Sequence, residues 1–231
     1  MSENENTEPT AGAGRPAGQP GEPEKVVLSH KPLWAQLVSD VFSPLVIPTF
    51  AMVVALWCTG MRTLPADNRL MATLAVGLIT GLLPFAVIAM LRRTGRVSDN
   101  AISARGERLL PMAVAAVCYF GAWLQMRAFG APDWLCRFFL GGMAAIVIAM
   151  AITRFWKISA HATAAGGFLG MTAWCVASGL ADINAMSVLS VVTLVAGLVG
   201  TARLMLGRHD LWQVIAGLAL GFGCVAGIMS I

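Results

Sequence analysis

The sequence predicts an all-α fold, a polytopic bundle of six to seven transmembrane helices. Hydrophobic residues make up 57% of the 231 positions and charged residues only 12%, whereas soluble domains average roughly 45–50% and about 25%. The mean hydropathy is +0.73. The apolar residues gather into seven runs, each close to the roughly 20 residues that a helix needs to cross a bilayer. This pattern excludes an ordinary soluble enzyme, and the length favours one bundle over two domains.

The N-terminal segment differs from the rest of the chain. Residues 1–24 contain five Glu and four Pro and almost no large apolar side chain, so they cannot bury enough surface to order themselves. The basic stretch and apolar run of a signal peptide are missing. We therefore predict a disordered polar tail and linker over residues 1–31 and a membrane domain over residues 32–231.

Seven spans are predicted in order along the membrane domain. They cover residues 41–60, 70–91, 110–129, 134–153, 161–180, 185–206 and 212–231. Pro44 and Pro48 predict a kink or tilt in the first span, and Arg137 in the first turn of the fourth is close enough to the surface to snorkel. Tryptophans favour the membrane interface and lie near run ends at Trp34, Trp57, Trp134, Trp156 and Trp212.

The basic residues are distributed unevenly between the two predicted sides. With seven spans, twelve of the sixteen Lys and Arg residues share the side of the tail, which the positive-inside rule makes cytoplasmic. A re-entrant first run is the alternative, and it would place the tail and the basic connections on opposite sides. The net charge of +4 reflects these connections, so membrane lipids are the predicted partner and nucleic acid is not.

The five cysteines, Cys58, Cys118, Cys136, Cys175 and Cys224, lie in or beside apolar runs without CxxC spacing. We interpret the cysteines as small buried hydrophobic residues, and we predict neither a disulfide framework nor a metal site.

The connection between the sixth and seventh predicted spans contains the first group of candidate site residues. Arg203 lies near the end of a span, His209 follows six positions later, and Gln213 is four residues beyond His209. That spacing predicts that His209 and Gln213 share a helical face. An arginine holds phosphate oxygens bidentately, and an imidazole attacks phosphorus or transfers protons. The other interpretation is that Arg203 and His209 are flanking polar residues without a task.

A second group precedes the fifth span. Ser159 is placed to cap the helix, and a helix N-terminus with Lys157 beside it attracts anions. His161 follows in the first turn, and an ionisable residue at a span end is a functional candidate. Gly166 and Gly170 form a small-xxx-small pair that we assign to helix packing.

A third group lies between the second and third spans. Arg105 and Arg108 are one helical turn apart directly before a span, which would let them clamp a phosphate. Arg92, Arg93 and Arg96 look like ordinary juxtamembrane charge that contacts anionic headgroups.

Together, these segments resemble the signature of the type 2 phosphatidic acid phosphatase superfamily, K-x6-RP, PSGH and SR-x5-H-x3-D, over roughly residues 90–217. The third motif reads A-R-x5-H-x3-Q over Ala202–Gln213, the second I-S-A-H over Ile158–His161, and the first R-x2-R-L-L-P over Arg105–Pro111. The order matches, and two spans separate each motif from the next. The resemblance implies a phosphatase-like helical core with all three motifs on one side.

The resemblance also implies the roles of the site residues. His209 would form a phosphohistidine, and His161 would protonate the departing alkoxide. The groups that would hold the phosphoryl oxygens are Arg203, Arg108, Arg105, Ser159 and Lys157. No metal or other cofactor is required. Fixed cations in a dry pocket stabilise the charge that develops on those oxygens.

Two departures from the family pattern matter. Gln213 replaces the Asp that orients the nucleophile, and it can accept the ring N–H without supplying charge. In a serine-protease triad, the analogous loss costs about 10⁴ in turnover. Asp210 is adjacent, but on a helix it would point elsewhere. Ala101 stands where the family has Lys.

The sequence therefore predicts a metal-independent acid phosphatase of the bacterial cytoplasmic membrane that hydrolyses a lipid phosphate. Candidate substrates are phosphatidate, phosphatidylglycerol phosphate, a polyprenyl phosphate or diphosphate, and a lipid A phosphate. The main alternative is a weak or inactive relative that binds anionic lipid or acts structurally. A small transporter is a third hypothesis, which broken helices around a polar site in the middle of the membrane would favour.

Overall fold

A computed structural model describes residues 32–95, 109–182 and 184–231. In this part of the chain the secondary structure is helical, apart from an isolated antiparallel bridge between Thr59 and Ala181. The predicted tail over residues 1–31 lies outside the described residues. The α-helices are α1 (Leu33–Val41), α2 (Ile47–Trp57), α3 (Ala66–Gly77), α4 (Leu83–Arg93), α5 (Leu109–Ala128), α6 (Asp133–Thr153), α7 (Ala160–Ala177), α8 (Ala185–Met205) and α9 (Leu211–Met229). A π-helical turn over Leu78–Leu82 joins α3 to α4, and a short 3₁₀ helix covers Gly60–Thr63.

Five helices are long and apolar enough to cross a membrane: the continuous segment Ala66–Arg93, α5, α6, α8 and α9. A multi-pass helical membrane protein is thereby confirmed. The last six predicted runs coincide with helices, and their ends differ by about one turn or less. The fifth run, α7, is not among the five because glycine, threonine and His161 lower its hydropathy. More than half of its residues are buried inside the bundle.

The first run contains one short helix, α2, so the prediction of a continuous helix over residues 41–60 is wrong. α1 ends at Val41, and α2 begins at Ile47. Pro44 lies in the break, where a residue without an N–H cannot continue the helical hydrogen bonds. Ser39 contacts His161 at the start of α7, whereas Thr59 pairs with Ala181 beyond its end. The segment therefore follows α7 from end to end, and the re-entrant alternative stays a prediction that accessibility labelling tests.

Glycines bring α7 and α9 into close contact. α7 makes its most extensive helix contact with α9. A side-chain carbon on Gly170 would lie 2.8 Å from a backbone oxygen of α9, and one on Gly217 would lie 2.8 Å from the backbone oxygen of Ser159. Gly166 is equally closely approached by α9. The packing role predicted for Gly166 and Gly170 is confirmed, and it places the start of α7 beside the start of α9.

The bundle has two distinct ends. We call one the histidine end: it contains the starts of α7 and α9 and the end of α8. The start of α5 also lies there, since Pro111 lines a cavity together with Ala160. The opposite end contains the connections that follow α2, α5 and α7, and two of its basic residues form ion pairs. Arg62 pairs with Asp182, and Arg127 pairs with Asp133 at 3.3 Å.

Candidate functional site at the histidine end

A tight connection between α8 and α9 holds two of the predicted site residues. Arg203 lies in the last turn of α8, which ends at a glycine with positive φ, Gly207 at +62°, as helices commonly do. The backbone N–H of Arg208 donates to the carbonyl of Arg203 at 3.2 Å. Asp210 then caps α9, and His209 directly precedes that cap. The short connection therefore keeps Arg203 and His209 at the same end of the bundle.

Three side chains around the start of α9 form a hydrogen-bonded chain. Gln213 Nε2 donates to Asp210 Oδ2 at 2.7 Å, and Gln213 Oε1 lies 2.9 Å from His209 Nδ1. A carboxylate only accepts, so the amide nitrogen of Gln213 must face Asp210 and its oxygen must face His209. That oxygen also only accepts, so Nδ1 of His209 carries the hydrogen. In the neutral imidazole the lone pair then resides on Nε2.

This chain corrects the expectation for Asp210. Asp210 does not stand inside a helix, where it would point elsewhere. It is the N-cap of α9, and its Oδ1 accepts the backbone N–H of Gln213 at 2.9 Å, as an N-cap side chain does. The capping turn, and not a shared helical face, brings Gln213 to His209. The charge that Gln213 lacks is present one hydrogen bond further away, on Asp210.

The start of α7 joins the start of α9. Ser159 caps α7 as predicted, since its Oγ accepts the N–H of Ala162 at 3.4 Å. Its own backbone N–H donates to the carbonyl of Gln213 at 3.3 Å. Ser159 is fully buried, and Lys157, two residues before it, is half-buried. The second and third motifs of the sequence therefore meet in space.

Ser39 is a site residue that the sequence analysis missed. Arg203 Nη1 donates to Ser39 Oγ at 2.7 Å, and His161 Nε2 donates to the Ser39 carbonyl at 3.1 Å. One residue of α1 thus links the arginine of α8 to the histidine of α7. The sequence contains no motif around Ser39; the only signal is Pro44, which predicts a helix end nearby and therefore free carbonyls.

Burial distinguishes these groups from ordinary flanking charges. The exposed fraction is 6% for Arg203 and 9% for His209, although both lie at the end of an apolar bundle. Burying a charge is costly unless it is paired and hydrogen-bonded, and ionisable groups in such positions usually have a partner or a task. The arrangement can hold an anion at Arg203 and present an imidazole lone pair at His209.

Arg105 and Arg108 lie outside the described residues. The described chain resumes at Leu109, directly after Arg108, and α5 starts at the histidine end. The predicted phosphate clamp therefore stays a prediction, on a segment that joins the correct end of the bundle.

An apolar cavity of about 180 Å³ lies beside the start of α7. Its lining includes Pro44 from the break after α1, Pro111 from α5, and Ala160 and Thr163 from α7. Ala160 immediately precedes His161, so the cavity reaches the start of α7. No family model, curated protein or solved structure matches the chain.

Proposed function

We propose that the protein is an integral-membrane lipid phosphatase of the bacterial cytoplasmic membrane, acting through a phosphohistidine on His209. The observation that carries this proposal is the chain from Asp210 through Gln213 to His209. It places the hydrogen of the neutral ring on Nδ1, so the lone pair is on Nε2, and the ring follows the connection that holds the buried Arg203. The resemblance to the type 2 phosphatidic acid phosphatase superfamily supports the same roles for the same residues.

The first step transfers the phosphoryl group to the enzyme. Nε2 of His209 attacks phosphorus, the P–N bond forms, and the bond from phosphorus to the lipid oxygen breaks. His161 in its protonated form gives the departing oxygen a proton, so the lipid leaves as an alcohol. Nδ1 of His209 keeps its hydrogen and donates it to Gln213, whose other end is held by the Asp210 carboxylate. Arg203 stabilises the charge on the phosphoryl oxygens.

The second step releases phosphate. Water attacks the phosphorus of the phosphohistidine and gives a proton to His161, which is neutral after the first step. The P–N bond breaks, and its electron pair returns to Nε2 of His209. Inorganic phosphate leaves, and both histidines regain their starting forms. Both steps use side chains of this chain alone, so the proposed activity does not depend on an added metal ion.

The surroundings of the site favour a lipid phosphate over a soluble one. The apolar cavity begins one residue from His161 and is lined by α5, α7 and the break after α1. An acyl or prenyl chain can occupy such a space while its phosphate meets Arg203. Phosphatidate, phosphatidylglycerol phosphate, polyprenyl phosphate or diphosphate and lipid A phosphate all have this chemistry.

Phosphate release in detergent tests the proposal. The purified protein is assayed with these lipid phosphates in the presence of EDTA, beside His209→Ala and His161→Ala. We expect release that persists in the chelator and is lost in both variants. A phosphohistidine that is trapped by denaturing quench in the unmodified protein and is absent in His209→Ala would identify the nucleophile. Release that survives His209→Ala would contradict the mechanism.

A second candidate is a weak relative that binds anionic lipid. Two observations favour it: the acceptor of His209 is a neutral amide, and Arg203 already donates to Ser39. Binding needs Arg203 but neither histidine. Unchanged lipid binding in His209→Ala, without phosphate release from the unmodified protein, would support it. The transporter hypothesis fits less well, because the hydrogen bonds among the predicted site residues lie at the histidine end.

A further inference from the structure

α1 is seated against the end of α8 by small side chains. Ala35 is fully buried against Ala202 and Leu206. Ser39 follows Ala35 by four residues, on the same helical face, and its exposed fraction is only 3%. On the outer side of α1, Leu37 is exposed. The helix therefore presents one small-residue face to the bundle and an apolar face outward.

The break after α1 makes the Ser39 carbonyl available. The last four carbonyls of a helix have no partner within it. The N–H of Phe42 closes the final turn on Val38, and Pro44 ends the possibility of further helical turns. The Ser39 carbonyl is instead the acceptor for His161 Nε2. Because a carbonyl only accepts, the hydrogen of the neutral His161 ring must be on Nε2, which leaves Nδ1 to exchange the catalytic proton.

The hydroxyl of Ser39 has a separate task. It accepts from Arg203 Nη1 at 2.7 Å, and this bond uses one of the five N–H donors of the guanidinium. An arginine side chain loses rotamer freedom when it is fixed, so an acceptor that restrains it before substrate arrives lowers the cost of binding.

We propose that Ser39 is a positioning residue of the phosphate site, so that α1 is part of the catalytic apparatus. Its carbonyl fixes the ring of His161, and its hydroxyl fixes the guanidinium of Arg203. This proposal rests on the proposed function, since it assigns the same two groups to catalysis. A purely structural role would not separate two kinetic constants. Here, loss of the Ser39 hydroxyl should raise KM, whereas loss of the contact between the Ser39 carbonyl and His161 should lower kcat.

Replacement of the Ser39 hydroxyl tests whether it positions the Arg203 guanidinium. Ser39→Ala removes Oγ but keeps the carbonyl, so we expect KM for a short-chain phosphatidate to rise about 3- to 10-fold with kcat within twofold. Ser39→Thr keeps a hydroxyl and should restore KM. Ser43→Ala is the matched control, because it removes a hydroxyl beyond the end of α1. The affinity for inorganic phosphate, measured by titration, should follow KM in the same variants.

Displacement of α1 tests whether the Ser39 carbonyl positions the His161 ring. Ala35→Phe overfills the contact with α8, whereas Leu37→Phe adds bulk on the exposed face of the same helix. Selective ¹⁵N labelling of the three histidines reports which ring nitrogen carries hydrogen, and His→Gln variants assign the signals. We expect Nε2–H for His161 in the unmodified protein, loss of that single form in Ala35→Phe, and at least a tenfold fall in kcat. Leu37→Phe should change neither.

The outcomes separate this proposal from the proposed function. If the unmodified protein releases no phosphate, the proposed function fails, and phosphate affinity and the His161 ring form alone decide the role of Ser39. If Ala35→Phe does not fold, the unmodified protein and Ser39→Ala still decide it. Neutral His161 with its hydrogen on Nδ1 instead of Nε2 in the unmodified protein would overturn the assignment of the Ser39 carbonyl as its acceptor. Equal KM and equal phosphate affinity in Ser39→Ala and Ser43→Ala would overturn the role of the Ser39 hydroxyl in positioning Arg203.

Discussion

At the residue scale, the hydrogen position on His209 depends on a carboxylate that does not touch it. Asp210 orients the Gln213 amide, and the amide orients the ring. A lone glutamine can present either its oxygen or its nitrogen, so Gln213 without Asp210 would not select one imidazole tautomer. The pair Asp210 and Gln213 thus replaces what a single carboxylate would do.

This dependence predicts the effect of Asp210→Asn. Asparagine still offers an oxygen to cap α9, but its amide can also donate, so Gln213 is free to turn its nitrogen toward His209. The charge that supports the phosphorylated imidazole is lost as well. We expect kcat for lipid phosphate hydrolysis to fall at least about tenfold, less than the roughly 10⁴ of a triad carboxylate in direct contact. Steady-state phosphate release by Asp210→Asn and by the unmodified protein measures this fall in kcat.

Asp40→Asn is the control for that variant. Asp40 is an exposed carboxylate on α1 that accepts from Gln36, so its replacement should leave kcat unchanged. A kcat for Asp210→Asn equal to that of Asp40→Asn would contradict the role assigned to the chain of hydrogen bonds.

Sequence reasoning identified His209, Gln213, Arg203, Ser159 and His161 but misjudged how two of their neighbours act. The contact between His209 and Gln213 was predicted from a shared helical face, but it forms across the capping turn of α9, because His209 precedes the helix. The role of Asp210 was missed because it depends on where α9 begins, and helix ends shift by a residue or two. Ser39 was missed because it is distant in sequence from both of its partners.

At the element scale, the contact between α7 and α9 determines whether the site forms. Backbone approaches backbone at their glycines, which small residues allow in membrane bundles. A side-chain carbon on Gly221 would overlap the carbonyl oxygen of Thr163, whereas one on Gly223 meets nothing within 4 Å. On the same helix, α9, Gly221 therefore has no room for a side-chain carbon, whereas Gly223 has.

These two glycines predict a matched pair of outcomes. Gly221→Ala should push α9 from α7, lower the stability by about 1–3 kcal/mol through overpacking, and reduce phosphate release because Ser159 and Gln213 separate. Gly223→Ala should leave activity and stability close to those of the unmodified protein. Thermal unfolding in detergent, recorded with the phosphatase assay, measures both. An unaltered melting temperature and activity for Gly221→Ala would contradict the close packing.

At the scale of the whole molecule, the arrangement of helices places the functional groups at one end. α1 contacts the end of α8, and α2 leads along α7 to Thr59, where the chain pairs with Ala181. The connection after α6 and the connection between α8 and α9 are both at the histidine end.

Accessibility labelling tests this arrangement. Single cysteines at Arg154, Thr10 and Ser98 should react with a membrane-impermeant maleimide from one side, and a cysteine at Thr63 from the other. The background should lack the native cysteines. Labelling of Arg154→Cys and Thr63→Cys from the same side would contradict the arrangement.

The sequence by itself determined the membrane class, the approximate ends of six helical runs, and the polar residues that gather at the histidine end. It could do so because hydropathy, helix caps and local spacing act within one segment. Tertiary structure alone decided that Asp210 orients Gln213 through the cap of α9 and that Ser39 meets both Arg203 and His161. The contacts of Ser39 depend on packing between segments more than 100 residues apart, where glycine contacts and free carbonyls select one partner among many.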